Sequence, residues 1–187
     1  TLVEEGLLLK EEIDDSLLYN DERRVNYQML FHARLPILKK AFSRFNKNDP
    51  LFAEFLEQKE YHDFAFYMLL KEIHNYQPFS SWEDADKNYS PEREKESISK
   101  HYDLYLFYIW TQFEFLKQYK ALKKYANENG IKIMGDMPIY VAYDSVESYK
   151  YPELFLFDGE HKPTFIAGVP PDAFSELGQL WGNPIYN

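Results

Sequence analysis

Residues 130–141, with the sequence GIKIMGDMPIYV, contain the change of pattern that decides the predicted fold. A long helical pattern precedes them and stops at Asn129 and Gly130, a pair that favours the C-terminal end of a helix. An apolar run, IKIM, follows and has the composition of a short buried strand. Because a helix, a turn and a strand in this order are typical of α/β architecture, we predict a strand over residues 131–141.

The predicted strand presents one acidic residue, Asp136, directly before a Met-Pro pair. In a parallel (β/α) barrel the carboxyl ends of the strands carry the active site, so an acid at this position is a candidate site group. Alternatively, the Asp136 carboxylate caps the turn that follows it. Position alone leaves both interpretations open.

Helical patterns fill the chain before this stretch. The first is predicted to begin at Asp21 and to end at Pro36, which opens the next helix because proline is tolerated only in a first turn. Asp49 followed by Pro50 is a strong start signal for another helix, and the serine–proline pair at residues 90–91 is a similar one. The long pattern that follows this pair is not expected to form one unbroken helix.

The last third of the chain has a different pattern. Residues 154–157 and 164–167 are predicted to form the two strands of a hairpin that turns at Asp158 and Gly159. The final segment, residues 168–187, has too many Gly, Pro and Asn for regular structure, and we predict a loop that carries large aromatic rings.

The composition argues against several classes of protein. The chain has 187 residues, no cysteine and a net charge of −10, so thiolate zinc sites are unavailable, and nucleic acid, which requires positive charge, is not an expected partner. No apolar run is long enough to span a membrane, and no signal peptide is visible at the acidic amino terminus. We therefore expect a cytoplasmic protein without a membrane partner. The histidines contain no i, i+4 pair, so neither a metal nor another cofactor is predicted.

Aromatic residues make up 18% of the chain. Such rings usually belong to the core, and the helical pattern YHDFAFYMLL is interpreted as core. An abundance of rings is also what a sugar-binding surface requires, because the C–H faces of a pyranose stack on flat rings. In the terminal loop, Pro170 and Pro171 stiffen the backbone and precede an acid, an amide and several rings. This set suits a neutral polyhydroxyl ligand.

Two motifs in this order, ANENGIKIMGDMPIYVAYDSVESYKYPELF and GVPPDAFSELGQLWGNPIYN, resemble the 4-α-glucanotransferase family, which includes amylomaltase and the disproportionating enzyme. Weaker similarity extends upstream over YHDFAFYMLLKEIHNYQPFSSW and to LVEEGLL near the first residue. The resemblance therefore covers nearly the whole chain and is sharpest from Asn129 onward.

The resemblance implies an α/β fold: a partial (β/α)8 TIM barrel with a mainly helical insertion subdomain, in a chain that is itself predominantly helical with few strands. Residues 1–98 would form the helical insertion subdomain and residues 99–187 the barrel portion. Within the barrel portion, residues 131–141 would be the third strand and residues 168–187 the substrate loop. Both ends of the sequence are interpreted as cut, so we expect an internal piece of the enzyme.

Members of the family transfer α-1,4-glucan segments between maltooligosaccharides by a retaining double displacement, which needs one carboxyl group as nucleophile and a second as acid and base. The family's nucleophile lies in an Arg-x-Asp segment, and the last arginine here is Arg93. The resemblance therefore implies that both catalytic carboxyl groups lie downstream and that the chain alone is inactive. Two alternatives remain: a glucan-binding piece without chemistry, and a helical interaction scaffold.

The resemblance also implies roles for residues of this chain. Asp136 is expected to support the active site through hydrogen bonds rather than to transfer a proton, and Tyr140 to line the floor of the cleft. Residues 168–184 would form a mobile loop over an α-1,4-glucan or maltooligosaccharide, with Phe174 and Trp181 as stacking rings. The expected polar contacts of that loop are Asp172, Ser175 and Gln179. Strand edges left exposed in the piece are expected to favour self-association.

Overall fold

The computed structural model describes residues 1–13 and 23–187. Within them, the α-helices are α1 (Tyr27–Arg44), α2 (Pro50–Leu56), α3 (His62–Ile73), α4 (Asp84–Lys87), α5 (Pro91–Lys100), α6 (Tyr102–Glu128) and α7 (Val146–Lys150). Short 3₁₀ turns cover Lys10–Glu12, Lys59–Tyr61, Phe79–Ser81 and Pro152–Leu154, and the strands are β1 (Ile166–Val169) and β2 (Gln179–Pro184). No helix in the described ranges is long and apolar enough to cross a membrane.

Both helix start signals predicted from the sequence, Asp49 and Ser90, are confirmed as N-cap residues. Asp49 Oδ1 accepts hydrogen bonds from the amides of Leu51 and Phe52 at 2.8 and 3.2 Å, and Pro50 occupies the first turn of α2. The Ser90 hydroxyl accepts from the Arg93 amide at 3.1 Å and starts α5 in the same way. Each cap satisfies amide groups that have no partner inside the helix.

The predicted break at Pro36 is wrong. A single helix, α1, runs through Pro36. It gives up one internal hydrogen bond there, and packing on both sides of the proline outweighs that loss. Ala33 before the proline and Phe42 after it are both buried, and the Phe42 ring lies 5.5 Å from the ring of Trp110 in α6. The predicted start at Asp21 lies outside the described residues.

The long pattern after Ser90 forms two helices, as predicted. His101, with φ −125° and ψ 39°, separates α5 from α6. The end of α6 is also confirmed: Gly130 has φ 75°, and the amide of Ile131 donates to the Ala126 carbonyl at 2.9 Å. The left-handed conformation of Gly130 ends the helix, and the chain then continues in a new direction as residues 131–141.

The core lies between α3 and α6, with α1, α2 and α7 packed around them. Phe66 of the YHDFAFYMLL pattern is buried there, which confirms the interpretation of that segment as core. The largest fully buried side chains include Trp110, Phe52, Phe66, Phe79 and Phe107. About half of the aromatic residues noted in the sequence therefore stabilise the packing of the helices.

The predicted strand over residues 131–141 is not formed. In the described part of the chain, no backbone hydrogen bond joins residues 132–139 to another segment. Met134 and Met137 are 96% and 84% exposed. A strand requires a neighbour to satisfy its amides and carbonyls, and the described residues supply none here.

The prediction of an irregular segment over residues 168–187 holds for the loop at residues 170–178 and is wrong for residues 168–169 and 179–184, which lie in strands. β1 and β2 pair antiparallel, with Gly168 opposite Leu180 and Val169 opposite Gln179. Gly168 permits this close approach, because a Cβ there would lie 2.5 Å from the Gln179 carbonyl oxygen. A glycine that argued against regular structure in the sequence thus allows the backbones of β1 and β2 to approach closely enough to pair.

The predicted hairpin forms in part. It turns at Asp158 and Gly159, and the amide of Thr164 donates to the Leu156 carbonyl at 2.9 Å. Only isolated bridges form along residues 154–157, and one of them joins Phe155 to Tyr186 beyond β2. The chain is thus mainly helical with few strands, as predicted, and both strands within the described ranges are antiparallel.

Candidate functional site

Asp136 lies in the extended segment after α6 and is exposed to solvent. Its Oδ1 atom accepts a hydrogen bond from the amide of Met137 at 2.8 Å. This contact holds the carboxylate close to its own backbone. It is not the turn cap that the sequence left open as an alternative, because the residue two positions on is Pro138, which has no amide hydrogen to donate. A role for Asp136 towards a ligand stays a prediction.

Tyr140 and Trp181 come together in the structure although they belong to different segments. Their ring centroids are 6.3 Å apart at an interplanar angle of 56°. Trp181 keeps 45% of its surface exposed, and its Nε1 donates to Gln179 Oε1 at 3.1 Å. The two rings therefore form one accessible aromatic surface with an amide beside it.

A series of stacked rings continues from Tyr140 towards the core. Tyr140 stacks on Tyr186 at 6.0 Å and 18°, Tyr186 on Phe155 at 5.3 Å and 29°, and Phe155 on Phe157 at 5.3 Å and 19°. Tyr143 joins this series to the helices, since its ring packs against Phe157. Sequence reasoning did not assign Phe155 or Tyr186 to the site. The alternating apolar residues of ELFLF were the only signal.

Hydrogen bonds between residues of the loop itself fix the conformation of the loop between β1 and β2. Asp172 Oδ1 accepts from the amides of Phe174 and Ser175, both at 2.9 Å. The Ser175 hydroxyl donates to the Gly178 carbonyl at 2.7 Å. Both side chains predicted to contact a ligand are thus engaged in shaping the turn.

Phe174 stands at the tip of this loop and is 93% exposed. Across the described residues, no hydrogen bond or ring contact joins Phe174 or Asp136 to the pair of Tyr140 and Trp181. The structure therefore brings together Tyr140, Gln179 and Trp181. It leaves Asp136 and the loop tip apart from them.

The segment that carries Tyr140 is attached to its surroundings at two points. The Asn183 amide group of β2 donates to the Val141 carbonyl at 2.8 Å. Three residues further on, Asp144 accepts hydrogen bonds from Lys71 Nζ at 2.6 Å, the Tyr67 hydroxyl at 2.7 Å and a backbone amide. Burial opposes the charge on Asp144, but these donors outweigh it and lower the pKa of its carboxyl group.

A second ionic cluster fixes α7, which follows this segment. Lys150 Nζ lies 2.5 Å from Asp63 and 3.3 Å from Glu94. Burial opposes the charge on Lys150, yet the hydrogen bond to Asp63 and the two carboxylate charges raise its pKa above the ordinary range. The described residues include no group of three His, Cys, Asp or Glu side chains that could hold a metal ion.

Comparison with known proteins connects this arrangement to one family. The family model described as 4-alpha-glucanotransferase matches residues 1–187. The 4-alpha-glucanotransferase of Clostridium butyricum is 39% identical over 193 residues, which cover all of this chain and 39% of the relative. That of Thermus thermophilus is 42% identical over 170 residues, covering 87% of this chain and 34% of the relative.

A solved structure agrees with these relatives. The amylomaltase of Streptococcus agalactiae in complex with acarbose shares 39% sequence identity and a TM-score of 0.89, covering 100% of this chain and 39% of that one. The chain spans between about a third and two fifths of the length of the relatives that it matches along its whole extent. Since the family model matches every residue, the chain belongs to the 4-α-glucanotransferase family.

Proposed function

We propose that the chain is part of an enzyme that transfers α-1,4-glucan segments between maltooligosaccharides. The observation that carries this proposal is the accessible surface formed by Tyr140 and Trp181, whose rings lie 6.3 Å apart. Flat rings of this kind bind the apolar faces of sugars, and the amide of Gln179 beside them can bond a hydroxyl group. The solved amylomaltase that this chain resembles holds acarbose.

The other predicted site residues would act beside this surface rather than as part of it. Asp136 is solvent-exposed and uses one carboxylate oxygen to accept from the amide of Met137, which leaves the second oxygen for a sugar hydroxyl or a neighbouring site group. Phe174, at the exposed tip of the loop, would stack on the glucan from above. Asp172 and Ser175 would contribute chiefly by holding the loop in shape, since their side chains bond its backbone.

The fold of the whole enzyme is proposed to be a (β/α)8 barrel. Residues 1–98 would form the helical insertion subdomain, and residues 99–187 the barrel portion with residues 131–141 as the third strand. Support comes from the exposed apolar side chains of that segment, such as Ile131 at 61% and Ile139 at 74%. Pairing with neighbouring barrel strands would bury them and satisfy the free backbone groups.

The chemistry is proposed to be a retaining double displacement, in which one carboxyl group attacks the sugar and another donates and then removes a proton. By the family pattern, both groups lie outside this chain. The 187-residue chain on its own is therefore proposed to be inactive. Its rings would hold the glucan at the acceptor position, so that a sugar rather than water completes the transfer.

An assay on maltotriose tests this assignment. The full-length protein should form glucose and longer maltooligosaccharides, whereas the purified 187-residue chain should form neither. Glucose release by the chain alone would overturn the placement of the catalytic groups elsewhere. A full-length protein that hydrolyses maltotriose without forming longer products would overturn the transferase assignment.

A second function, glucan binding without chemistry, is favoured for the chain alone by the exposure of Trp181 and Phe174. Titration with maltoheptaose, followed by tryptophan fluorescence, would detect it. Self-association of the chain is also proposed, because residues 132–139 combine exposed apolar side chains with a backbone that forms no hydrogen bond to another segment in the described part of the chain. Sedimentation at increasing concentration tests this second point.

A further inference from the structure

Tyr186, two residues after the end of β2 at Pro184, stacks on the ring of Tyr140. The two rings stack at 6.0 Å and 18°, and Tyr186 also stacks on Phe155 at 5.3 Å and 29°. Tyr140 itself makes no side-chain hydrogen bond in the described part of the chain. Its orientation therefore depends on contacts with neighbouring rings.

The backbone fixes Tyr186 firmly. It forms a bridge with Phe155, while the amide of Leu156 donates to the Ile185 carbonyl at 2.8 Å and the amide of Asn187 donates to the Leu154 carbonyl at 2.9 Å. These hydrogen bonds lie on either side of Tyr186. The backbone of Tyr186 is consequently held by a bridge with hydrogen bonds on both sides, whereas Tyr140 belongs to a segment with few backbone partners.

Asn183 gives the same segment a second attachment. Its side-chain amide donates to the carbonyl of Val141, the residue after Tyr140, at 2.8 Å. Trp181 is two residues before Asn183 on the same strand. The strand that presents Trp181 therefore also fixes the backbone and the ring of Tyr140.

We infer that Tyr186, together with Asn183, is a positioning residue that sets the angle between Tyr140 and Trp181. The ligand class is an α-glucan ring that stacks on both side chains, so this inference rests on the proposed function. Without the ring of Tyr186, Tyr140 would turn away from Trp181, and the two rings would no longer offer one surface to the sugar.

The test compares Tyr186→Leu with Tyr186→Phe in the full-length protein labelled with 5-fluorotryptophan. The fluorine resonance that disappears in Trp181→Phe is that of Trp181. Tyr186→Leu should shift this resonance and raise the Kd for acarbose about fivefold, the size expected when one aromatic pair is lost. Tyr186→Phe keeps the stacked ring and should change neither quantity.

A matched control is Tyr102→Leu. Tyr102 is 53% exposed and stacks on Tyr105 at 6.3 Å and 29° in the helical region, so its loss should leave the Trp181 resonance and the acarbose affinity unchanged. Asn183→Asp provides a second route if Tyr186→Leu does not fold, because aspartate keeps the shape but cannot donate to Val141. It should also shift the Trp181 resonance and weaken acarbose binding.

Three results would overturn the inference: an unshifted resonance in Tyr186→Leu, a shifted resonance with unchanged affinity, or equal effects of Leu and Phe at position 186. Where Tyr186→Leu does not fold, an Asn183→Asp variant that behaves like the parent protein overturns it. Failure of the proposed function is distinguished by Trp181→Ala. If that variant binds acarbose as the parent does, the ring surface does not bind the glucan at all.

Discussion

Lys71 in α3 lies 2.6 Å from the carboxylate of Asp144, 73 residues further along the chain. The same lysine donates to two backbone carbonyls after the end of α3. Only 11% of its side chain is exposed. This ion pair connects the helical core to the segment that carries Tyr140, so the helices determine where that segment lies.

Replacement of this lysine should weaken the whole chain. Lys71→Met removes the buried cation of Asp144, whose side chain is 35% exposed. We expect a loss of about 1–3 kcal/mol in the free energy of unfolding, since the carboxylate keeps access to water. Urea unfolding followed by circular dichroism measures this loss. Lys47→Met, which removes the exposed pair with Asp103, should cost less than about 1 kcal/mol. Equal losses in the two variants would contradict the importance of the pair between Lys71 and Asp144.

Acid should destabilise the protein through the same carboxylate. The pKa of Asp144 is lowered in the folded state, so its contribution is present above the unfolded pKa of about 3.9 and is lost as the pH falls through the folded pKa. We expect the free energy of unfolding to fall below about pH 4. Asp144→Asn should show a shallower fall in urea titrations at successive pH values. A slope identical to that of the parent protein would remove Asp144 from this explanation.

Removal of the exposed tryptophan should weaken glucan binding. In the full-length protein, Trp181→Ala deletes the ring beside Tyr140, and we expect a loss of roughly 1–3 kcal/mol in binding free energy. Calorimetric titration with acarbose measures it. Leu177→Ala is the matched control, because Leu177 lies in the loop that leads into β2, is 94% exposed and has no ring to stack. An unchanged affinity in Trp181→Ala would take Trp181 out of the site.

The turn after the loop should not accept a side chain at Gly178. This residue has φ +72°, and a Cβ would lie 2.5 Å from the Val169 carbonyl oxygen, so Gly178→Ala should cost about 1–3 kcal/mol and separate the start of β2 from β1. Hydrogen exchange of amides in β1 and β2 would show faster exchange. Gly159→Ala, at a glycine with open space around it, should leave those amides as they are. Similar exchange in both variants would contradict the constraint at Gly178.

Structural features that depend on neighbouring residues could be predicted from the sequence, whereas contacts between distant segments could not. Asp49, Ser90 and Gly130 act on residues next to them, so their sequence patterns identified the helix ends. Pro36 has the same kind of local signal, yet packing of α1 on α6 overrides it. The strand β2 was missed because its partner lies a full loop away and its glycine indicates a break when considered alone.

The same contrast between local features and long-range contacts applies to the candidate site. Tyr140 and Trp181 were expected to share a cleft, and the structure places their rings side by side. Phe155 and Tyr186 were not identified, because their stacking depends on a bridge between residues 155 and 186 that no spacing rule predicts. The hydrogen bonds of Asp172 to its own loop were not foreseen either. The sequence of a polar loop is the same whether its acid contacts a ligand or bonds the loop backbone.

The self-contained hydrogen bonding of residues 172–178 has a practical consequence for engineering. Every side-chain hydrogen bond of Asp172 and Ser175 ends within this loop, and Gly178 joins it to β2 through the backbone. The loop can therefore be exchanged as a module between relatives, with Phe174 replaced or the tip lengthened, while the ribbon beneath keeps its register. Libraries that vary this loop should concentrate their diversity between residues 172 and 177 and leave Gly168 and Gly178 untouched.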